Sequence, residues 1–204
     1  MAYIWGKTSK IPDYLTAGRT AENISKDIAN SLTHGKEINS NNIKYIMLMS
    51  NTQLLNKAKI FQWDVLNETI GVPLVNQKVL DILSKECVGK FQAIPAVIQL
   101  PDGSEINDYF VINVIHKVPV ASLENCILGK LENERKTPEP IGPWTFFDKE
   151  VYKAKVVDQE DLCKDSTIGA NLIFLSERLY QIFKKEKIRG GGFYTNLRDS
   201  VIFV

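Results

Sequence analysis

The side chains able to do chemistry in this 204-residue chain are few and far apart. Its histidines are His34 and His116, and its three cysteines, Cys87, Cys126 and Cys163, stand 39 and 37 residues from one another. A nucleophilic hydrolase needs a serine or cysteine within reach of an imidazole that a carboxylate orients. It usually declares itself by a Gly-x-Ser-x-Gly elbow, and a zinc hydrolase by a His-Glu-x-x-His helix. Neither pattern is present. The cysteine spacing fits neither a disulfide framework nor paired zinc ligands, so free buried thiols are expected and neither a metal nor another cofactor is implied. His34 falls where a helix should end, a position whose dipole favours a protonated imidazole. His116 continues the alternation of Phe110, Ile112 and Val114 and reads as a structural imidazole at a strand's end.

Three further features invite a functional reading. Asn113 is the polar exception in the apolar run "YFVINVI"; a buried amide left unpaired costs about 1–3 kcal/mol, so it is expected to tie its strand to a neighbouring loop. The alternative is a ligand pocket near Asn113 and His116. The stretch "DQEDLCKD" offers Asp158, Glu160, Asp161 and Asp165 without the glycine and terminal glutamate of a calcium loop, so it reads as a solvated acidic face suited to a basic partner. If residues 144–157 form a hairpin turning at Asp148–Glu150, those acids become a charged rim around Trp144 as an aromatic anchor. Finally, Gly190, Gly191 and Gly192 follow "KEKIR" and precede Phe193. Phosphate-binding glycines precede a helix, whereas these follow one, so a helix cap and turn is the better reading.

The elements that must carry these residues form an α+β pattern. Ala21, Ile24, Ile28 and Leu32 lie at helical spacing between Thr20 as N-cap and Gly35 as terminator. "IKYIMLMS" reads as a buried strand, and residues 51–69 are ambiguous between helix and strand. Asn76 opens a helix with Val79, Ile82 and Leu83 inward. The strand "FQAIPAVIQL" follows, which Pro95 places at an edge or a bulge. Asp102–Gly103 turns it into "NDYFVINVIHKVPV", a central strand buried on both faces. Residues 131–143 read as an exposed charged and proline-rich loop. "WTFFDKEVYKAKVV" is strand-like, and "ANLIFL" leads into a last helix.

Laying "LVNQKVLDILSKECVGKF" over "FLSERLYQIFKKEKIRGGGF" exposes a repeat with a register of one hundred residues: Asn76 with Ser176, Val79 with Leu179, Ile82 with Ile182, Leu83 with Phe183 and Glu86 with Glu186. The expected architecture is a mostly antiparallel or mixed central sheet with helices packed on it, containing two similar helix-to-strand units. Two copies are too few for a solenoid. The 25 basic and 24 acidic residues leave a formal charge of +1, which gives no global nucleic-acid footprint. No apolar run reaches the roughly 18 residues of a membrane span, and the start lacks a signal-peptide pattern, so a cytoplasmic single domain is expected, without membrane or nucleic-acid partners. Within it, residues 1–70 form an N-terminal part and 71–204 the core.

The order of these elements, the "YFVINVI" strand with Asn113, and the terminus with Ser176, Leu179, Ile188, Gly190 and Phe193 resemble a bacterial family. It is the polymorphic-toxin immunity protein family eleven, formerly a domain of unknown function, over roughly residues 70–196. The resemblance implies a non-catalytic scaffold that binds a cognate toxin encoded nearby and blocks it. It leaves residues 1–70, "KTPEPIGP" and the oligomeric state unassigned.

Overall fold

A computed structural model describes residues 1–7, 17–19, 24–39, 41, 43–50, 56–66, 71–129, 147–168, 172–195 and 201–204. The chain runs β1 (Ala2–Gly6), β2 (Ala17–Arg19), α1 (Lys26–His34), β3 (Ile46–Ser50), α2 (Lys57–Ile60), β4 (Val65–Leu66), β5 (Leu74–Asn76), α3 (Gln77–Glu86), β6 (Phe91–Gln99) and β7 (Glu105–Val114). It continues through β8 (Lys117–Val118), β9 (Ile127–Leu128), β10 (Phe147–Tyr152), α4 (Ala154–Glu160), β11 (Leu162–Asp165), β12 (Ile173–Ser176), α5 (Glu177–Lys185), β13 (Gly192–Tyr194) and β14 (Val201–Phe203). Three sheets result, with orders β2-β3-β6-β7-β5-β4, β13-β1-β12-β11-β8 and β14-β10-β9. The fold is α+β with mixed sheets, as the sequence pattern required.

The two large sheets are built from one repeated plan. Asn76 and Ser176 each end a strand and cap the next helix, their side-chain oxygens accepting from the amides of Val79 and Leu179. An aspartate steadies each cap. The Asp64 carbonyl accepts the Asn76 amide and its carboxylate the Asn76 side chain, both at 2.9 Å. The Asp161 carbonyl accepts the Ser176 amide at 2.9 Å and its carboxylate the Ser176 hydroxyl at 2.6 Å. Each helix then returns to a strand beginning near Phe91 or Phe193. In the six-stranded sheet β7 lies antiparallel between β5 and β6. In the five-stranded sheet the strand between β12 and β13, again antiparallel to both, is β1 from the start of the chain.

The units contact each other reciprocally: Lys78 of α3 donates to the Glu186 carbonyl, and Arg178 of α5 donates to the Glu86 carboxylate. Between them, Val79, Leu83, Leu179 and Phe183 pack with Val75, Ile112 and Val114 of one sheet and Trp5, Leu162, Ile173 and Leu175 of the other. Each fully buried aliphatic or aromatic side chain of this kind stabilises by about 1.5–3 kcal/mol. The opposite face of the six-stranded sheet packs on Leu32 of α1 and Ile60 of α2, and that of the five-stranded sheet on Val157 of α4 with Tyr152.

Several expectations are corrected. Helix α1 begins at Lys26 with Ser25 as its cap; Thr20 and Ala21 lie outside the described residues. The β6 strand is interior, with the register shift between Ala96 and Ile98, and Pro95 is tolerated because pairing with β3 begins only at Ala96. The left-handed residue ending α5 is Lys187, φ 55°, with Ile188 N donating to the Phe183 carbonyl in place of a glycine cap. Gly190 and Gly191, φ 88° and 71°, instead turn the chain into β13. A β-carbon on Gly191 would stand 3.1 Å from the Trp5 indole nitrogen. There is no hairpin at Asp148–Glu150: β10 continues through those residues, with a register shift against β9 between Phe147 and Lys149, and "AKVVDQE" is helix α4, which buries Val157 in the core.

Candidate functional site

The polar residues singled out in the sequence fall into three places. The first is the seam where the chain leaves β7 and crosses to β8 in the other sheet. His116 Nε2 lies 2.6 Å from Glu160 Oε2, and the Lys90 ammonium donates to both the carboxylate and the carbonyl of Glu160. His116, and Lys90 behind it, hold the Glu160 carboxyl below its usual range against the opposing effect of burial. The next residue, Asp161, has φ 56° and ψ −54°, a strained conformation for a non-glycine residue. Arg178 grips it through Nε and Nη2 at 3.0 and 2.7 Å and reaches Glu86 through Nη1 at 2.6 Å. Burial works to raise the Asp161 carboxyl, but the bonds from Arg178 and Ser176 outweigh it and leave it lowered.

The acids of "DQEDLCKD" thus do not share one solvated face. Asp158 is exposed, pairing with the Met1 ammonium at 2.9 Å and accepting the Glu177 amide at the start of α5. Asp165 is buried, 3% exposed, and has no rim position. One of its oxygens accepts the amides of Val120 and Ala121, each at 2.8 Å, and the other those of Thr167 and Ile168 at 2.9 and 2.6 Å. A carboxylate saturated by four amides organises loops; it has no lone pair aimed at a partner. Its neighbour Lys164 is also buried and donates to the carbonyls of Leu32 and Thr33 at the end of α1. Burial, and Lys117 after it, push the Lys164 ammonium down to about 8. The cation at this helix end is therefore Lys164; His34 is driven towards its neutral form by burial and by Lys164, Lys117 and Lys36. Sequence reading missed Lys164 because an isolated lysine in an acidic stretch looks solvated.

The second place is the mouth of the six-stranded sheet. Asn113 stands opposite Gln92, and its amide donates to Gln92 and to the Lys36 carbonyl at 3.0 and 2.8 Å. Gln92 in turn accepts the Ile38 amide and donates to the Ile38 carbonyl, both at 2.9 Å, so two side-chain amides stitch residues 36–38 to the strands. Asn113 Oδ1 is buried without a partner. Two open grooves of about 450 and 320 Å³ meet at Ile38 and Gln92, the second continuing along Ile43, Lys44, Ala93 and Pro95. His116 belongs to the seam with Glu160 and Lys90, so Asn113 and His116 have separate partners.

The third place is the thiols. Cys87 and Cys163 are buried and free, and burial pushes both up to about 12; Cys126 is half-buried and raised for the same reason. Thiols held this high are inert at neutral pH. Among the described residues no group of three or more histidine, cysteine, aspartate or glutamate side chains could hold a metal ion, and no helix is long and apolar enough to cross a membrane. Trp144 and residues 131–143 lie outside the described residues. Phe193 is half-buried, its ring 5.7 Å from Phe183 and 6.0 Å from Trp5.

No curated protein matches this chain. A family model described as an immunity protein family, Imm11, matches residues 20–196. The match begins fifty residues before the resemblance visible in the sequence, and takes in α1 and β3.

Proposed function

The chain belongs to the Imm11 immunity protein family, and on that premise we propose that it is an immunity protein that binds and neutralises a cognate bacterial toxin encoded nearby. The observation that carries the reading is the family match across residues 20–196. The geometry supports it. Among the described residues, polar side chains singled out above are engaged in internal ties: His116 with Glu160, Asp161 with Arg178 and Ser176, Asp165 with four amides, Lys164 with a helix end. A scaffold held together in this way offers a stiff surface, which suits inhibition by occupation better than turnover. We place it in the cytoplasm, acting without a cofactor, and with neither nucleic acid nor membrane as partner.

Co-expression with the product of the neighbouring gene tests this directly. The neighbour alone should arrest growth, the pair should grow, and the two proteins should co-purify in fixed stoichiometry. A harmless neighbour, or no complex, overturns the proposal. One observation favours a second reading, a small polar ligand in the grooves beside Gln92: the unpartnered Asn113 Oδ1 next to that residue. Mass spectrometry of the natively purified protein finding a retained metabolite would promote it.

A further inference from the structure

The six-stranded sheet is covered unequally. One face is closed by α1 and α2, while on the other α3 covers β5 and β7. Beyond that cover, β3 and the far half of β6 turn side chains to solvent. Met49 is 46% exposed and Tyr45, in the same alternation, 43%. Met47 is half-buried beside Val97, its partner in the parallel pair, and Ala93 and Pro95 continue the same face of β6 with Phe110 opposite Pro95. On its outer side Met49 pairs with Gly18 of β2. The result is an apolar strip across two strands, running into the groove at Ile43 and Pro95. Other exposed large apolar residues, such as Phe61, Val88 and Ile127, lie on separate elements.

The strip has a charged end. Gln99, level with Met49, pairs with exposed Glu105, and Asp102 and Asp108 are exposed on the same hairpin. Methionine and tyrosine at the centre with carboxylates at one rim is the composition of a protein interface, and the rim sets the sign of what it meets. We infer that the outer face of β3 and β6 is the docking surface for the toxin. The partner presents an apolar centre to Tyr45, Met47, Met49 and Val97, and basic residues to Asp102, Glu105 and Asp108. This rests on the immunity reading above, and places the contact on the sheet, away from the acids at Asp158–Asp161.

The test uses the full-length chain and the toxin from the neighbouring gene. Met49→Lys with Val97→Lys should weaken the complex at least a hundredfold with the thermal midpoint little changed. Glu105→Lys, at a position where folding is not at stake, should slow association about tenfold and flatten its salt dependence. Val88→Lys, exposed elsewhere, should bind as the wild type. If the wild-type chain binds no toxin, the immunity reading itself falls, and this surface with it. If the wild type binds and both the double variant and Glu105→Lys bind within threefold of it, the toxin docks elsewhere and only this inference is overturned. A wild-type chain that is dimeric alone, and monomeric as Met49→Lys, would show that the strip is a self-interface and overturn it equally.

Discussion

Replacing Asp165 by asparagine separates an internal tie from a partner-facing acid. The change keeps size and shape but gives one end of the side chain an NH2 group, so a donor must face either the Val120 and Ala121 amides or those of Thr167 and Ile168. Two buried amides lose their acceptor at about 1–3 kcal/mol each, and the remaining pair exchanges a charged acceptor for a neutral one. The expected cost is about 3–5 kcal/mol. For a chain of this length that lowers the unfolding midpoint by roughly 6–20 °C at about 2–4 °C per kcal/mol. Thermal and urea unfolding measure the loss, with the urea slope unchanged. Hydrogen exchange should show it concentrated at residues 120, 121, 167 and 168. An Asp165→Asn protein with wild-type stability and impaired toxin binding would refute the structural reasoning and return Asp165 to the surface.

Lys164 gives a pH prediction. Its folded value, about 8, lies below the 10.5 of a free lysine, so between these values the unfolded chain holds more protons and stability from this group rises with pH. The buried thiols of Cys87 and Cys163, raised from 9.0 to about 12, oppose this above about pH 8 in any variant, so the test is a difference: the urea midpoint of the wild type relative to Lys164→Met should climb between pH 7.5 and 9.5. Reversing the acids one at a time should split them. Asp158→Lys loses an exposed pair with Met1 and the exposed bond from the Glu177 amide, and should lower the thermal midpoint by about 2–4 °C. Asp161→Lys breaks the bonds to Arg178 and Ser176 and should lower it several times further, in differential scanning calorimetry.

What the sequence made legible is what local chemistry decides. Asn76 and Ser176 were readable as caps because an N-cap needs only its own side chain and the amide three residues on. The turn at Asp102–Gly103 was readable for a similar reason: Gly103 takes φ 80° and Asp102 accepts the Ser104 amide, both within the hairpin. Asp165 was not readable, because its burial depends on the Val120 and Ala121 amides, which follow β8 and lie about 45 residues away in the chain. Helix α4 was misread because Val151 and Tyr152 alternate as a strand and nothing announces the change at Lys153, which caps without a side-chain bond. The repeat showed only its central part. Its aspartates, and the Thr-Ile-Gly of residues 69–71 recurring at 167–169, lie outside the hundred-residue register because the second loop is longer. The exposed strip on β3 was hidden by composition: Met47 and Met49 look like core until the sheet shows which face is left open.

The position of β1 bears on synthesis. Residues 2–6 leave the ribosome about 170 residues ahead of their partners in β12. At roughly 5–20 residues per second, that strand waits about 10–30 seconds before its slot exists. The first unit needs no such wait, since β5, α3, β6 and β7 are consecutive, so it can assemble while the rest is still being translated. The nascent chain therefore carries "AYIW" as an unpaired strand until β12 and β13 have been made, and the five-stranded sheet closes only then.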